Sequence, residues 1–455
     1  MSNKFKQLIL LFGDIFFLYL SLYLTLIIRY QDVPGKKLWQ DHLGPFSFIF
    51  IGWLLIFYIV NLYNLKKAVS NIQFFKTTLQ AISVAAILSL TFFYLMPGTV
   101  IAPKTNLAIF IFIFSLLFII WRNFFNWLLK SRIPKTSIAI IGYNEQVKKL
   151  LKELDTKPHL GYKLAFLIDY DKKYEIGKDN RITVFTTFDN LAELILEKKV
   201  NTIILTSNPE QSHNLRTALF NCLSLKIKYL SLPNFYEAIT GKVPIEALNQ
   251  MWFLENLNEG DKLWFDIFKR GYDIIIAFLI LSLTLPLWPI IGLLIKLENK
   301  GPVLFKQLRA GKNNKIFTIF KFRTMTVNNN GFSPTIIDDS RITRIGNILR
   351  KVRIDEIPQV INILKGEMSF VGPRPERPEL IKGLEKQIPF YNERTLVKPG
   401  VTGWDQISGE YHSPSYEDSM EKLQYDLFYI KNRSIYLDLS IILKTVATVL
   451  SREGR

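Results

Sequence analysis

The chain has 455 residues, enough for two or three domains, and its 49% hydrophobic content is high for a water-soluble protein of that length. A net charge of +18 calls for anionic partners: nucleic acid, an acidic membrane surface or phosphorylated substrates. The single cysteine, Cys222, excludes an intramolecular disulfide and a cysteine-based metal site, and it reads as a core residue.

Residues 8–28 form a long apolar run behind Lys4 and Lys6 with no small-residue cleavage site, which predicts a retained helix rather than a signal peptide. Runs at about 45–65, 77–96 and 107–129 are each near the roughly 20 residues that span a bilayer, so 1–132 reads as a four-helix transmembrane domain. Lys66, Lys67 and Lys76 lie between the second and third runs, and Arg122, Lys130, Arg132 and Lys135 close the fourth. The positive-inside rule puts both ends of this domain in the cytoplasm, against a weaker signal from Lys36 and Lys37 in the opposite loop. Asp14, inside the first run, reads as a residue that snorkels or pairs with another helix, with a functional buried charge as the competing reading.

From Thr136 the pattern changes to short apolar runs at 137–142, 162–168, 182–185, 202–205 and 227–230, with an amphipathic helix at 145–154. This alternation predicts a Rossmann-like cytoplasmic module over 133–260, a parallel sheet with crossover helices. Its first turn, Ile141-Gly142-Tyr143-Asn144-Glu145, has one glycine where a dinucleotide site needs a spaced trio, although Asp169 ends the second strand where a ribose ligand often sits. A nucleotide-free module used for assembly or regulation stands beside the cofactor-binding reading.

A fifth apolar run, 274–295, carries Pro286 and Pro289, each of which lacks an amide donor and crowds a carbonyl, at Ser282 and Leu285, so the helix bends there. A kinked span would put everything after Lys296 outside. A re-entrant hairpin over about 266–297 keeps both soluble regions on the cytoplasmic face, where nucleotide-activated metabolites are found, and lodges the last domain against the headgroups.

Residues 261–455 form a basic, mixed domain. Strand alternation in 315–323 puts Phe317, Ile319, Lys321 and Arg323 on one face, and Gln307, Arg309 and Gly311 precede it. Asp355 and Glu356 stand before Ile357-Pro358, with Pro358 suited to a first helical turn and Asp355 at or near the N-cap, where a phosphate would meet free amides. Capping alone explains an Asp there. The flanking Arg350 and Arg353 favour a doubly charged substrate instead. Pro373-Arg374-Pro375 is a stiff loop around one guanidinium, suited to a diphosphate or uracil. Trp404 reads as packing rather than substrate stacking. The four histidines show no metal-ligand spacing, which leaves carboxylates and a hard cation, Mg²⁺, as the metal expectation.

Lys269-Arg270 with Asp273, Phe305-Lys306-Gln307 with Arg309 and Gly311, Lys321-Phe322-Arg323-Thr324-Met325, Asp339-Ser340-Arg341-Ile342-Thr343, Asp355-Glu356-Ile357-Pro358-Gln359, Gly372-Pro373-Arg374-Pro375-Glu376 and Lys398-Pro399-Gly400-Val401-Thr402-Gly403-Trp404 run in the order seen in bacterial sugar transferases. Residues 265–455 resemble this family of monotopic polyprenyl-phosphate hexose-1-phosphate transferases. The whole chain resembles its long form, in which undecaprenyl-phosphate galactose and glucose phosphotransferases are found. The resemblance implies an α/β membrane protein that transfers hexose-1-phosphate from a UDP-sugar to polyprenyl (undecaprenyl) phosphate and releases UMP. Asp355 would be the nucleophile, Glu356 the acidic partner and Mg²⁺ ligand, and Arg374 a group at the nucleotide end. Lys321, Arg323, Arg353 and Arg309 are further charge clamps, chosen for their chemistry and position. Leu285 stands before Pro286 where the family often has serine, which leaves open which proline makes the membrane break. The implied setting is the bacterial inner membrane and the first step of a capsule, O-antigen or exopolysaccharide pathway, with a homodimer as the default assembly. The alternative is a non-catalytic, nucleotide-sensing membrane scaffold that grips anionic lipid. Nucleic-acid binding is set aside, because the basic residues are dispersed among apolar and acidic motifs.

Overall fold

A computed structural model of the protein describes residues 3–60, 62–63, 72–95, 103–131, 136–156, 161–171, 182–207, 212–248, 250–257, 260–298, 301–326, 339, 341–408 and 415–450. Lys66, Lys67, Arg132, Lys135 and Ser340, together with the expected run ends at 65 and 96, lie outside them. The chain divides into two compact units, Met1–Leu230 and Ser231–Arg455.

The first unit opens with four long helices, α1 Asn3–Tyr30, α2 Lys36–Ile59, α3 Ile72–Leu95 and α4 Pro103–Ser131, each long and apolar enough to cross a membrane. An aromatic seam joins α2 to α4. Phe46, Phe50, Trp53 and Phe57 recur at helical spacing against Phe110, Phe114 and Phe118, with ring centroids 5.3 Å apart for Trp53 and Phe114 and again for Phe57 and Phe118. The second helix begins nine residues before Pro45, so this proline lies inside the helix rather than at its start. Arg122 is not a flanking cytoplasmic charge. It is buried in the bundle, where Nη2 donates to Asp14 Oδ2 at 2.6 Å, Nη1 donates to the Leu62 carbonyl at 3.0 Å, and the guanidinium lies over the Phe118 ring. Asp14 thus pairs with another helix, as apolar surroundings require of a charge.

Beyond the helices, strands β1 Thr136–Ile141, β2 Tyr162–Ile168, β3 Val184–Phe185, β4 Thr202–Leu205 and β5 Lys228–Ser231 form one sheet in the order β3-β2-β1-β4-β5, with β1 parallel to both β2 and β4. Helices α5 Glu145–Thr156, α6 Leu191–Glu197 and α7 His213–Asn221 make the crossovers, giving the Rossmann-like order with its switch point between β1 and β4. Gly142 sits at that switch point with φ +94°. A Cβ there would fall 1.8 Å from the Thr206 hydroxyl, which donates to the Ile141 carbonyl, so strand packing already accounts for the glycine.

The second unit starts with α8 Leu232–Thr240 and α9 Gln250–Asn256. The sequence reading attached 231–260 to the Rossmann-like module, yet Val243, Ile245 and Trp252 share a core with Leu423, Leu427 and Ile430, and Lys431 pairs with Glu237 at 2.7 Å. Next comes α10 Leu263–Thr284, a 3₁₀ turn over Leu285–Leu287, and α11 Trp288–Glu298. The α-helical bonding stops at Thr284, one residue short of the position before Pro286, while Pro289 falls in the first turn of α11, where no amide donor is needed. Most large apolar residues of this segment, among them Phe268, Phe278, Leu283, Ile290 and Leu297, face outward. Its buried positions are Lys269, Asp273, Ala277, Gly292 and Ile295.

A hairpin of β6 Leu304–Ala310 and β7 Ile316–Phe322 follows, then α12 Arg344–Lys351, α13 Val360–Lys365, β8 Ser369–Val371, α14 Pro378–Leu384, β9 Gly400–Thr402, α15 Trp404–Ile407, α16 Tyr416–Asn432 and α17 Ile435–Leu450. Strands β8 and β9 pair in parallel, with Val371 opposite Thr402. Trp404 stacks on Phe428 at 5.3 Å and donates to the Gly241 carbonyl, so it packs as the sequence suggested.

Candidate active site

The Asp355-Glu356 pair sits where α12 hands over to α13. Glu298, at the end of α11, accepts from the amides of Arg344 and Ile345, and Thr343 caps the same helix through the Gly346 amide. The chain then turns at Arg353, which takes the left-handed conformation (φ 53°, ψ 22°), and a 3₁₀ helix runs from Ile354 to Gln359. Asp355 is therefore the second residue of a 3₁₀ helix, near the N-cap as the sequence suggested, with Arg353 as the cap itself. The left-handed turn at Arg353 starts the helix early, and the tight 3₁₀ winding accommodates Pro358.

Strand β7 fixes the other side. Asn362, the lone polar residue in the apolar run 360–364, donates to the Thr318 carbonyl at 2.7 Å and accepts from the Phe320 amide at 3.2 Å. It binds α13 to the strand as a further strand would, and so sets the pair against Lys321. Lys321 Nζ donates to Glu356 Oε1 at 2.6 Å, and Arg374 Nη2 donates to the same oxygen at 3.0 Å.

The backbone of the Pro-Arg-Pro loop is anchored at four successive carbonyls. Pro373 accepts from the Gly400 amide at 2.9 Å, Arg374 from Arg394 Nη2 at 3.0 Å, Pro375 from Arg309 Nη1 at 2.9 Å and Glu376 from the Ala310 amide at 3.0 Å. Gly372 lies so close to β9 that a Cβ would be 2.4 Å from the Lys398 carbonyl. The loop is rigid in the sense the two prolines predicted, and the Arg374 head projects from it to Glu356.

The two carboxylates differ in their surroundings. Burial disfavours the Glu356 anion, but Lys321 and Arg374 outweigh that and hold its carboxyl far below the usual range. Asp355, 9% exposed, accepts no hydrogen bond from any described residue. Burial and the neighbouring Glu356 charge push its carboxyl up to about 6, with Lys321, Arg350 and Arg374 opposing. One carboxylate is clamped and the other is left with its lone pairs unengaged.

Of the residues named from sequence, Asp355, Glu356, Lys321 and Arg374 come together, and Arg353 adds its charge to Glu356 from the turn. Arg309 works from behind, on the Pro375 carbonyl and on Gln307 at 2.7 Å. Arg323 does not join them. One residue past the end of β7, its guanidinium turns to the Pro302 carbonyl, and the strand alternation that placed it beside Lys321 no longer applies there. Arg350, close to Asp355 in charge, holds the Thr324 hydroxyl at 2.9 Å. Arg394 was missed, and nothing local in Tyr391-Asn392-Glu393-Arg394 signals its role. Asn362 carried a signal in its isolation among apolar residues.

Among the described residues no three His, Cys, Asp or Glu side chains cluster to hold a metal ion. The donor set suits Mg²⁺ only as that ion is bound beside phosphates, by one or two carboxylates with substrate oxygens completing the shell, since both hydrogen bonds to the Glu356 carboxylate fall on Oε1 and leave Oε2.

Comparison with known proteins gives the same frame. A bacterial sugar transferase family model matches 264–452, and a CoA-binding domain family model matches 58–233. The chain is 39% identical over 241 residues to the UDP-N-acetylgalactosamine-undecaprenyl-phosphate N-acetylgalactosaminephosphotransferase of Aeromonas hydrophila, covering 52% of this chain and 55% of that relative. It is 30% identical over 335 residues to the UDP-glucose:undecaprenyl-phosphate glucose-1-phosphate transferase of Escherichia coli K12, covering 70% and 69%. An exopolysaccharide production protein of Rhizobium leguminosarum is 40% identical over 194 residues, which is 41% of this chain and 96% of the relative. With the carboxylate pair, the anchored Pro-Arg-Pro loop and the broken apolar helix all inside the matched region, this chain belongs to the bacterial sugar transferase family.

Proposed function

We propose that the protein transfers a sugar-1-phosphate from a UDP-sugar to undecaprenyl phosphate at the bacterial inner membrane, releasing UMP, in the first membrane step of a surface glycan. The observation that carries this reading is the division of labour in the pair: Glu356 gripped by Lys321 and Arg374, and Asp355 beside it buried and unengaged. The relatives named above as undecaprenyl-phosphate sugar phosphotransferases support the reaction class. In the first step an Asp355 oxygen attacks the sugar-bearing phosphorus, and the bond from that phosphorus to the oxygen it shares with the UMP phosphate breaks. In the second an oxygen of undecaprenyl phosphate attacks the same phosphorus and the aspartyl–phosphorus bond breaks, restoring the carboxylate.

Asp355 must be ionised to attack, and a carboxyl at about 6 is ionised at neutral pH yet more basic, and so more nucleophilic, than an exposed one. Lys321 and Arg374 hold positive charge where the diphosphate would lie, and the anchored loop backbone keeps Arg374 from following the substrate. Mg²⁺, bound by Glu356 and phosphate oxygens, would neutralise charge on the leaving phosphate. Catalysis on the cytoplasmic face, with α10–α11 entering and leaving the same side of the bilayer, supplies the donor from its own compartment. The outward apolar surface of that segment supports its insertion in the bilayer.

The test is UMP release by the purified full chain with undecaprenyl phosphate, Mg²⁺ and a panel of UDP-hexoses and UDP-N-acetylhexosamines. Turnover with one donor supports the reading. No turnover with any donor, together with salt-dependent binding to anionic vesicles, favours the scaffold alternative.

A further inference from the structure

Beside the start of the apolar helix α10 is a group of cations that the transfer site does not use. Arg270 donates to the carbonyls of Ile363 at 2.5 Å and Leu364 at 2.8 Å, closing the C-terminal end of α13 just ahead of Gly366. Lys398, in the turn before β9, is partly buried and donates no hydrogen bond to any described residue. The two heads face one small volume, since a Cβ placed on Gly366 would lie 3.5 Å from Arg270 Nη2 and 3.7 Å from Lys398 Nζ. Burial lowers the Lys398 amine from its usual range. Arg270 and Lys312, in the turn of the β6–β7 hairpin, lower it further, while Asp273 and Asp266 oppose. Both carboxylates are engaged elsewhere, Asp273 by the Phe370 amide at 3.2 Å and Asp266 by Arg433 at 3.3 Å.

An ammonium partly out of water, beside a guanidinium and with no acceptor, is costly unless an anion completes it. A phosphate group accepts from both heads at once. Position decides its source. Trp264, Ile267 and Phe268 precede Arg270 on α10, and Ile274, Ile275 and Phe278 follow it, all exposed. Arg270 therefore stands on a helix whose exposed residues on either side of it are apolar, as a lipid headgroup site at the membrane interface requires. We propose that Arg270 and Lys398 form a phosphate-binding notch that takes the headgroup of an anionic bilayer lipid, with the acyl chains along the apolar face of α10. Neither shares a hydrogen bond or ion pair with Asp355 or Glu356.

The test is amine footprinting of the full chain in nanodiscs, read by peptide mass spectrometry. The discs are phosphatidylcholine alone, phosphatidylcholine with phosphatidic acid, and phosphatidylcholine alone with millimolar inorganic phosphate. Lys365, exposed at the same end of α13, reports the general surface potential. Labelling of Lys398 is expected to fall about fivefold in the anionic discs, the change that about 1 kcal/mol gives, and further than labelling of Lys365. Native mass spectrometry should show one fewer retained anionic lipid for Lys398→Gln and normal retention for Lys398→Arg. Equal labelling in all discs, a fall no larger than that of Lys365, unchanged retention in Lys398→Gln, or equal protection by inorganic phosphate alone would overturn the lipid site.

Discussion

Replacing Asp355 with Asn removes the nucleophile of the proposed reaction and, at neutral pH, should make the fold more stable. The folded carboxyl titrates at about 6 rather than 3.8, because burial and the Glu356 charge outweigh the pull of Lys321, Arg350 and Arg374. A rise of about two pH units corresponds to about 3 kcal/mol against the ionised folded state. The folded form holds this proton more tightly than the unfolded form. The penalty is therefore absent below pH 3.8, grows as pH rises, and is complete above about 6. Asparagine carries no charge at any of these values. Reversible denaturant unfolding of the detergent-solubilised proteins should find Asp355→Asn more stable by up to about 3 kcal/mol at pH 7.5, with the difference close to zero at pH 4. A variant no more stable than the parent at pH 7.5, or a difference that does not change with pH, would refute the reasoning.

The same titration predicts that the first half-reaction slows about tenfold per pH unit below about 6 in single-turnover UMP release, because only the carboxylate attacks. Arg309→Lys loses one hydrogen bond to the Pro375 carbonyl, worth about 1 kcal/mol, so KM for the UDP-sugar should rise about fivefold with kcat little changed. In the bundle, Arg122→Leu alone leaves Asp14 buried without its partner and should cost about 3–5 kcal/mol, whereas Asp14→Leu with Arg122→Leu should recover most of that in a detergent unfolding assay. Chelation with EDTA should stop UMP release, and Mg²⁺ should restore it.

Much of the architecture was legible because it rests on local periodicity. Four apolar runs of bilayer length gave four helices, and short runs spaced by amphipathic stretches gave the parallel sheet. Pairings across long separations were not legible. Arg122 looked like a flanking charge, since nothing near it in sequence shows that Asp14, 108 residues earlier, waits inside the bundle. Segment 231–260 joins the second unit through contacts with α16, roughly two hundred residues on, as in the Lys431–Glu237 pair. At the site, motif order brought out Asp355, Glu356, Lys321 and Arg374, but the left-handed turn at Arg353 overrode ordinary helix-start chemistry. Arg323 was misplaced because a period of two holds only while the strand lasts. Arg394 acts through a backbone carbonyl, and a carbonyl leaves no trace in side-chain patterning.

The most direct test of the central claim is mass spectrometry of the full chain incubated with its UDP-sugar and Mg²⁺ in the absence of undecaprenyl phosphate. A phosphosugar adduct on the peptide bearing Asp355, formed with one equivalent of UMP and discharged on adding the lipid acceptor, is the predicted result. UMP released only when the acceptor is present, with no adduct at Asp355 and normal turnover by Asp355→Asn, would contradict it.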